Sequence, residues 1–163
     1  IKNDGDQLII KIASNMFWTN KTQAELTVYY TNLKAIAVSS GAKLKCDDPI
    51  QTDHMDISVS SGAMCDIELD ASKTSVRVSS GSNMKIEGSS KAAKFQASSG
   101  SSVRADTFIC EDVSVKATSG ASLKVHATKS LSADASSGGS IRYAGNPENK
   151  NADNGWSGQI SKI

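Results

Sequence analysis

The sequence predicts an all-β chain wound as a parallel β-helix, a single-domain solenoid of about six to eight coils with roughly twenty residues per coil. Three observations predict it. A Ser-Ser-Gly tripeptide, once written Thr-Ser-Gly, occurs six times. Apolar and polar residues alternate on both sides of every copy, and small residues hold fixed places around the glycine.

The copies are Ser39-Ser40-Gly41, Ser60-Ser61-Gly62, Ser79-Ser80-Gly81, Ser98-Ser99-Gly100, Thr118-Ser119-Gly120 and Ser136-Ser137-Gly138, with glycines 21, 19, 19, 20 and 18 residues apart. That period is too irregular for collagen and too short for ankyrin, tetratricopeptide or propeller repeats. Five residues before each glycine stand Ile36, Ile57, Val76, Phe95, Val115 and Ala133; three before stand Val38, Val59, Val78, Ala97, Ala117 and Ala135. Three after come Leu44, Cys65, Met84, Val103, Leu123 and Ile141, and five after come Cys46, Ile67, Ile86, Ala105, Val125 and Tyr143. The interleaved positions are polar almost throughout. A period of two on either side of the glycine means two strands per copy, each with one buried face.

The tripeptide marks a structural corner built from Ser40, Ser61, Ser80, Ser99, Ser119 and Ser137 with their partners Gly41, Gly62, Gly81, Gly100, Gly120 and Gly138. If the alternation runs through the glycine, the serine before it and the small residue after it (Ala42, Ala63, Ser82, Ser101, Ala121, Gly139) both face inward. The serines would then form an internal hydroxyl ladder. Glycine supplies the positive φ that such a bend requires. No His or Asp recurs beside the tripeptide, so it reads as architecture and not as a nucleophile. The polar stretches 47–54, 89–92 and 128–130 are too short for crossover helices, so each copy winds directly onto the next. A stack of hairpins would need turn signals twice per repeat, and parallel crossovers favour a right-handed wind.

The ends must differ from the middle, because terminal coils expose apolar surface unless capped. Residues 1–33 are expected to form an N-terminal capping coil, 34–145 the six repeats and 146–163 a C-terminal cap. Leu8, Ile10 and Ile12, then Leu26, Val28 and Tyr30, read as strands of an irregular first coil. Trp18 and Trp156 read as cap residues, with Trp156 and Ile160 folding back across the open end.

Composition narrows the function classes. Hydrophobic residues make up 38% of the 163, below the roughly 45–50% of ordinary globular domains, which suits a thin core. With 18 basic and 17 acidic residues the net charge is +1, so no strongly basic face for nucleic acid is expected. No apolar run approaches the ~20 residues of a membrane span. The chain begins at Ile1, consistent with a secretory leader absent from this stretch. Cys46, Cys65 and Cys110 are an odd set without Cys-x-x-Cys spacing, and read as small buried hydrophobes. Asp47, Asp48, Asp53, Asp56, Asp66, Glu68 and Asp70 crowd the first coils, but no calcium-loop spacing is present. His54 and His126 are isolated, and the Asn20-Lys21-Thr22 sequon reads as incidental. No catalytic residue, cofactor or metal is expected.

Two outward columns carry charge. Four residues after each glycine stand Lys45, Asp66, Lys85, Arg104, Lys124 and Arg142; six after stand Asp47, Glu68, Glu87, Asp106, His126 and Ala144. Where the acidic column fades, Arg104, Lys124 and Arg142 form a candidate face for an anionic sugar or carboxylate.

The segment Glu25-Leu-Thr-Val-Tyr-Tyr-Thr-Asn-Leu-Lys-Ala-Ile-Ala-Val-Ser-Ser-Gly41 resembles the opening segment of the head GIN domain of auto-transporter adhesins. The ending Ser136-Ser-Gly-Gly-Ser-Ile-Arg-Tyr-Ala-Gly-Asn-Pro147, followed by Trp156-Ser-Gly-Gln-Ile160, resembles that family's close. The resemblance implies a β-helical fold and a place among secreted or envelope proteins of Bacteroidetes, in the periplasm or on an outer-membrane lipoprotein; it transfers no site residues. The expected function is a non-enzymatic secreted or envelope module that binds a glycan or surface protein. The alternatives are a polysaccharide-acting β-helix enzyme, which needs clustered carboxylates in a cleft, and an assembly element that self-associates through its coil ends.

Overall fold

The computed structural model describes residues 1–11 and 25–163. Ile12, Trp18 and the sequon 20–22 lie outside the described residues. The chain divides into two compact units, Ile1–Tyr30 and Thr31–Ile163. In the first, strand β1 (Lys2–Asp4) pairs antiparallel with β2 (Gln7–Ile9) across a turn at Gly5, whose φ is 61°. Leu8 therefore belongs to a hairpin and not to a coil strand. Leu26, Val28 and Tyr30 are exposed and carry no strand, contrary to the expected alternation.

The second unit is a parallel β-solenoid of about seven coils at ~19 residues each. Its strands are β3 (Ala35–Val38), β4 (Lys43–Lys45), β5 (Ile50–Val59), β6 (Met64–Val78), β7 (Asn83–Ala97), β8 (Ser102–Ala117), β9 (Ser122–Ala135), β10 (Ser140–Ala144), β11 (Asn149–Asn154) and β12 (Gln159–Lys162). Every pairing among them is parallel. Val38 stacks on Val59, Val59 on Val78, and Val78 on Ala97. A hairpin stack is thereby excluded, and each coil buries the same positions as its neighbours.

Burial in β6 shows how one coil closes. Cys65, Ile67 and Leu69 face the core, then Thr74, Val76 and Val78 do, so the parity switches between Leu69 and Thr74. That switch is a smooth bend within a continuous strand, and it explains why the polar stretches between copies carry strand hydrogen bonds. At this bend Ala71, Ser90, Cys110 and Ala127 stack in successive coils. Ser90 is buried and accepts from the Thr74 hydroxyl at 3.1 Å while donating to the Ala92 carbonyl at 3.1 Å. One step earlier, Leu69, Gly88 and Phe108 stack. A Cβ on Gly88, at φ 106°, would meet the Leu69 carbonyl oxygen at 2.3 Å. Phe108 is fully buried and meets Phe95 edge to face, ring centroids 6.4 Å apart.

The tripeptide makes the tight corner, with a geometry that corrects the expected serine ladder. Ser40, Ser61, Ser80, Ser99, Ser119 and Ser137 have φ between 50° and 57°, and the following glycines between 68° and 77°. Two consecutive left-handed residues reverse the chain within one turn, as in type I′ hairpin turns. Ala42, Ala63, Ser82, Ser101, Ala121 and Gly139 each close that turn with an N–H bond to the carbonyl three residues back. The reversal tips the serine before the glycine outward, and all six of these serines are exposed. The residue after the glycine faces inward from the second coil on, as Ala63, Ser82, Ser101, Ala121 and Gly139 show. Ser82 and Ser101 there donate to the carbonyls of Val59 and Val78 at 2.9 and 3.0 Å. The corners are tied together by backbone: the Gly41 N–H reaches the Ser61 carbonyl at 3.0 Å, and the contact recurs up to Gly138 and Ser157.

Residues 149–162 do not fold back across an open end. β11 stacks on β9 and β12 on β10, adding a seventh coil. Its turn is Gly155-Trp156-Ser157-Gly158, closed by the Gly158 N–H on the Gly155 carbonyl at 3.0 Å. Ile160 lies over Ile141, but Trp156 is 87% exposed at the corner. Lys150 and Lys162 stand in register with Leu131 and Tyr143, positions that are apolar in the coil below. The Lys150 ammonium lies 5.6 Å from the Tyr143 ring centroid, and Lys162 donates to the Asn146 side chain.

Candidate ligand-binding face

The outward column four residues past each corner is held in strict register by strand pairing. Lys45 lies beside Asp66, then Lys85, Arg104, Lys124, Arg142 and Ser161 follow in order. Adjacent strands lie about 4.8 Å apart, so these side chains form a single file. In the early coils the charges are neutralised. Lys45 pairs with Asp47 at 2.5 Å, and Lys85 with Glu87 at 2.7 Å and Asp66 at 3.9 Å. Donating to Asp47 raises the Lys45 pKa, donating to Glu87 raises the Lys85 pKa, and accepting from Lys85 in turn lowers Glu87.

In the later coils the compensation stops. Opposite charges stabilise a sheet face only where they stay adjacent; His126 and Ala144 stand two residues past Lys124 and Arg142, and past Arg104 the register breaks. β8 pairs with β9 up to Ala105 and Val125, then resumes at Ile109 and His126. Residues 106–108 bulge out of that ladder. Asp106 thus leaves the acidic column: its backbone oxygen lies 3.2 Å from His126 Nδ1, and Ile109 takes the place beside His126. Among the described residues no ion pair reaches Arg104, Lys124 or Arg142. Ser102, Ser122 and Ser140 run parallel to them, two residues earlier on the same strands and in the same register.

The other sequence-derived candidates separate. His54 pairs with Asp56 at 3.1 Å, far along the chain from His126, and Asp70 accepts from Ser89 at 2.8 Å. Among the described residues no group of three or more His, Cys, Asp or Glu is placed to hold a metal ion. Cys65 and Cys110 are buried, Cys46 is half-buried, and all three are free thiols. Burial pushes the Cys65 and Cys110 thiols up to about 12. No described helix is long and apolar enough to cross a membrane.

One feature escaped the sequence reading. An open groove of about 650 Å³ follows the smooth bend, with Asp70, Ser89, Lys91, Ile109 and Glu111 among its lining residues. Ile109 is half exposed there. Its signal was present in the spacing: the bulge adds a residue, which is why Gly100 and Gly120 lie 20 apart while the two preceding intervals are 19. Glu111 is occupied by Lys129 at 2.7 Å, which raises the lysine pKa.

A family model described as "Putative auto-transporter adhesin, head GIN domain" matches residues 1–147. No curated protein and no solved structure matches the chain.

Proposed function

We propose that this chain, which belongs to the head GIN domain family, is a non-enzymatic adhesive module of the cell envelope that binds surface ligands through an outer face of its solenoid. The observation that carries the reading is the single file of uncompensated cations Arg104, Lys124 and Arg142 on a scaffold that holds them in register. Such a scaffold spends no backbone ordering entropy when a ligand docks, since strand pairing has already fixed the spacing, and only the cation side chains remain to be ordered. Weak contacts repeated along one chain gain by effective concentration, which suits attachment better than turnover. The family description supports a surface or envelope location, secreted or held by an anchor outside this stretch. A glycan or a surface protein is the partner class.

An array of glycans and matrix proteins tests the reading. Retention of the intact chain on at least one surface class, with the ligand recovered chemically unchanged, is the expected result. Cleavage of a retained polymer would overturn the non-enzymatic part, and no retention on any surface would overturn the adhesive part.

A further inference from the structure

We infer that coils four to six carry a docking track for a linear acidic polysaccharide lying along the stacking direction. Its carboxylates meet Arg104, Lys124 and Arg142, and its hydroxyls meet Ser102, Ser122 and Ser140. The inference rests on the adhesive reading above and names the ligand class of that face.

The argument begins with an imbalance. Three like charges stacked on adjacent parallel strands are mutually unfavourable, and the earlier coils offset theirs with Asp47, Asp66 and Glu87. Coils four to six have acquired the repulsion and lost the compensation, because Asp106 is bulged away and His126 and Ala144 follow it in the neighbouring column. Two and four residues past the corner, the same three coils, and no earlier one, carry a Ser-x-cation pattern: Ser102-Val103-Arg104, Ser122-Leu123-Lys124 and Ser140-Ile141-Arg142. The preceding coils place Lys43, Met64 and Asn83 where the serines stand. Ser102, Ser122 and Ser140 are half-buried, and their hydroxyls make no hydrogen bond to any described residue. Each coil therefore offers one cation and one free hydroxyl, side by side.

That pairing selects the ligand. Its two rung intervals span roughly 10 Å in a straight line one side chain wide. An extended chain of uronic sugars advances by close to one strand separation per sugar, and each sugar brings one carboxylate and several hydroxyls. A membrane surface would engage a broad basic patch, and this column is narrow. A duplex nucleic acid would need more cations than a net charge of +1 provides. An acidic peptide offers the serines only its backbone groups, whereas each uronic sugar brings several hydroxyls beside its carboxylate.

Biolayer interferometry of the intact chain against immobilised polygalacturonate, in low salt, tests the track. Binding is expected to fall about thirtyfold in the triple reversal Arg104→Glu, Lys124→Glu and Arg142→Glu, and to weaken steeply with added salt. Replacing Ser102, Ser122 and Ser140 by Ala should lower polygalacturonate binding about five- to tenfold and leave any polyglutamate binding unchanged. The reversal Lys73→Glu, Arg77→Glu and Lys94→Glu makes the same change in net charge on another face, and should leave affinity within about twofold. If the triple reversal does not fold by melting curve, the Gln versions of the same three residues replace it.

Unchanged binding after the triple reversal, an equal loss in the control reversal, or polyglutamate or anionic-lipid vesicles bound as tightly as polygalacturonate would each overturn the proposal. The adhesive reading fails separately, when the intact chain is retained on no surface of the array.

Discussion

At the scale of single residues, the corner turns on backbone conformation and the smooth bend on space. Gly100 has φ 68° with nothing within 4 Å of a Cβ, so Gly100→Ala meets only the left-handed penalty, about 1–2 kcal/mol. Gly88 has φ 106° and a carbonyl 2.3 Å from the would-be Cβ. Gly88→Ala is expected to destabilise by more than about 3 kcal/mol, beyond the usual range of point substitutions. Chemical denaturation midpoints of the two variants check the order, and equal losses would contradict it. Ser101 donates to two carbonyls that already accept ladder or turn bonds, Val78 from Ser98 and Ser98 from Ser101. Alanine fills the equivalent place as Ala63 and Ala121, so Ser101→Ala should change stability by under about 1 kcal/mol. The buried thiols give a pH prediction with a defined sign. Their folded pKa of about 12 lies above the ordinary 9.0, so the neutral form is favoured by folding. That contribution is complete below pH 9 and is lost as pH rises from there towards 12. Melting temperature should fall over that alkaline window, and less so in Cys65→Val/Cys110→Val.

At the scale of elements, the strands explain both the rigidity and the irregularity. β6 to β9 run through the smooth bend without interruption because the inward column there is small: Ala71, Ser90, Cys110 and Ala127. β8 departs from the pattern where Phe108 fills the core next to Gly88. Phe108→Ala removes a fully buried ring with its Phe95 contact and should cost about 3–5 kcal/mol. A loss below about 1 kcal/mol by denaturant titration would show that the bulge is not anchored by this ring. The charge ladder contributes less. Lys45 and Lys85 are exposed and Glu87 is half-exposed, and such pairs are worth little each. Their use is positional: an acid two residues along the same strand neutralises Lys45 and Lys85, whereas the bulge displaces Asp106 from Arg104, and His126 and Ala144 stand where Lys124 and Arg142 would need one.

At the scale of the solenoid as a whole, each coil of residues 31–163 contacts its neighbours in the stack, so stability is shared by nearest-neighbour interfaces. A parallel stack must also limit addition at its ends. The seventh coil does so with Lys150 and Lys162 placed in register with core positions. Inward charges of this kind block edge pairing, since another coil would bury them. Lys150→Val with Lys162→Ile is therefore expected to convert the chain to dimers or larger species, read by light scattering across concentration. A variant that stays in the parent's oligomeric state would show that the lysines do not guard this end.

The sequence by itself determined the coil. Val38, Val59 and Val78 must lie over one another because a glycine-anchored period of two on both sides leaves few other ways to bury the same positions each turn. It also set the order of charges in the outward columns, since position along a strand fixes the face. What it left open depended on φ and on register. Parity counting carried Ser40 and its equivalents inward, but two left-handed residues in succession reverse the chain and turn them out, and no alternation pattern encodes that. The Asp106 bulge, the exposed Ile109 and the release of Arg104 from its acid came from one extra residue against β7 and three against β9, visible as unequal glycine intervals but not locatable within them. Trp156 and Ile160 were apolar residues without a tripeptide to place them. Only pairing with β9 and β10 decided that they belong to a further coil, because contacts between residues distant in the chain are settled by packing and not by local preference.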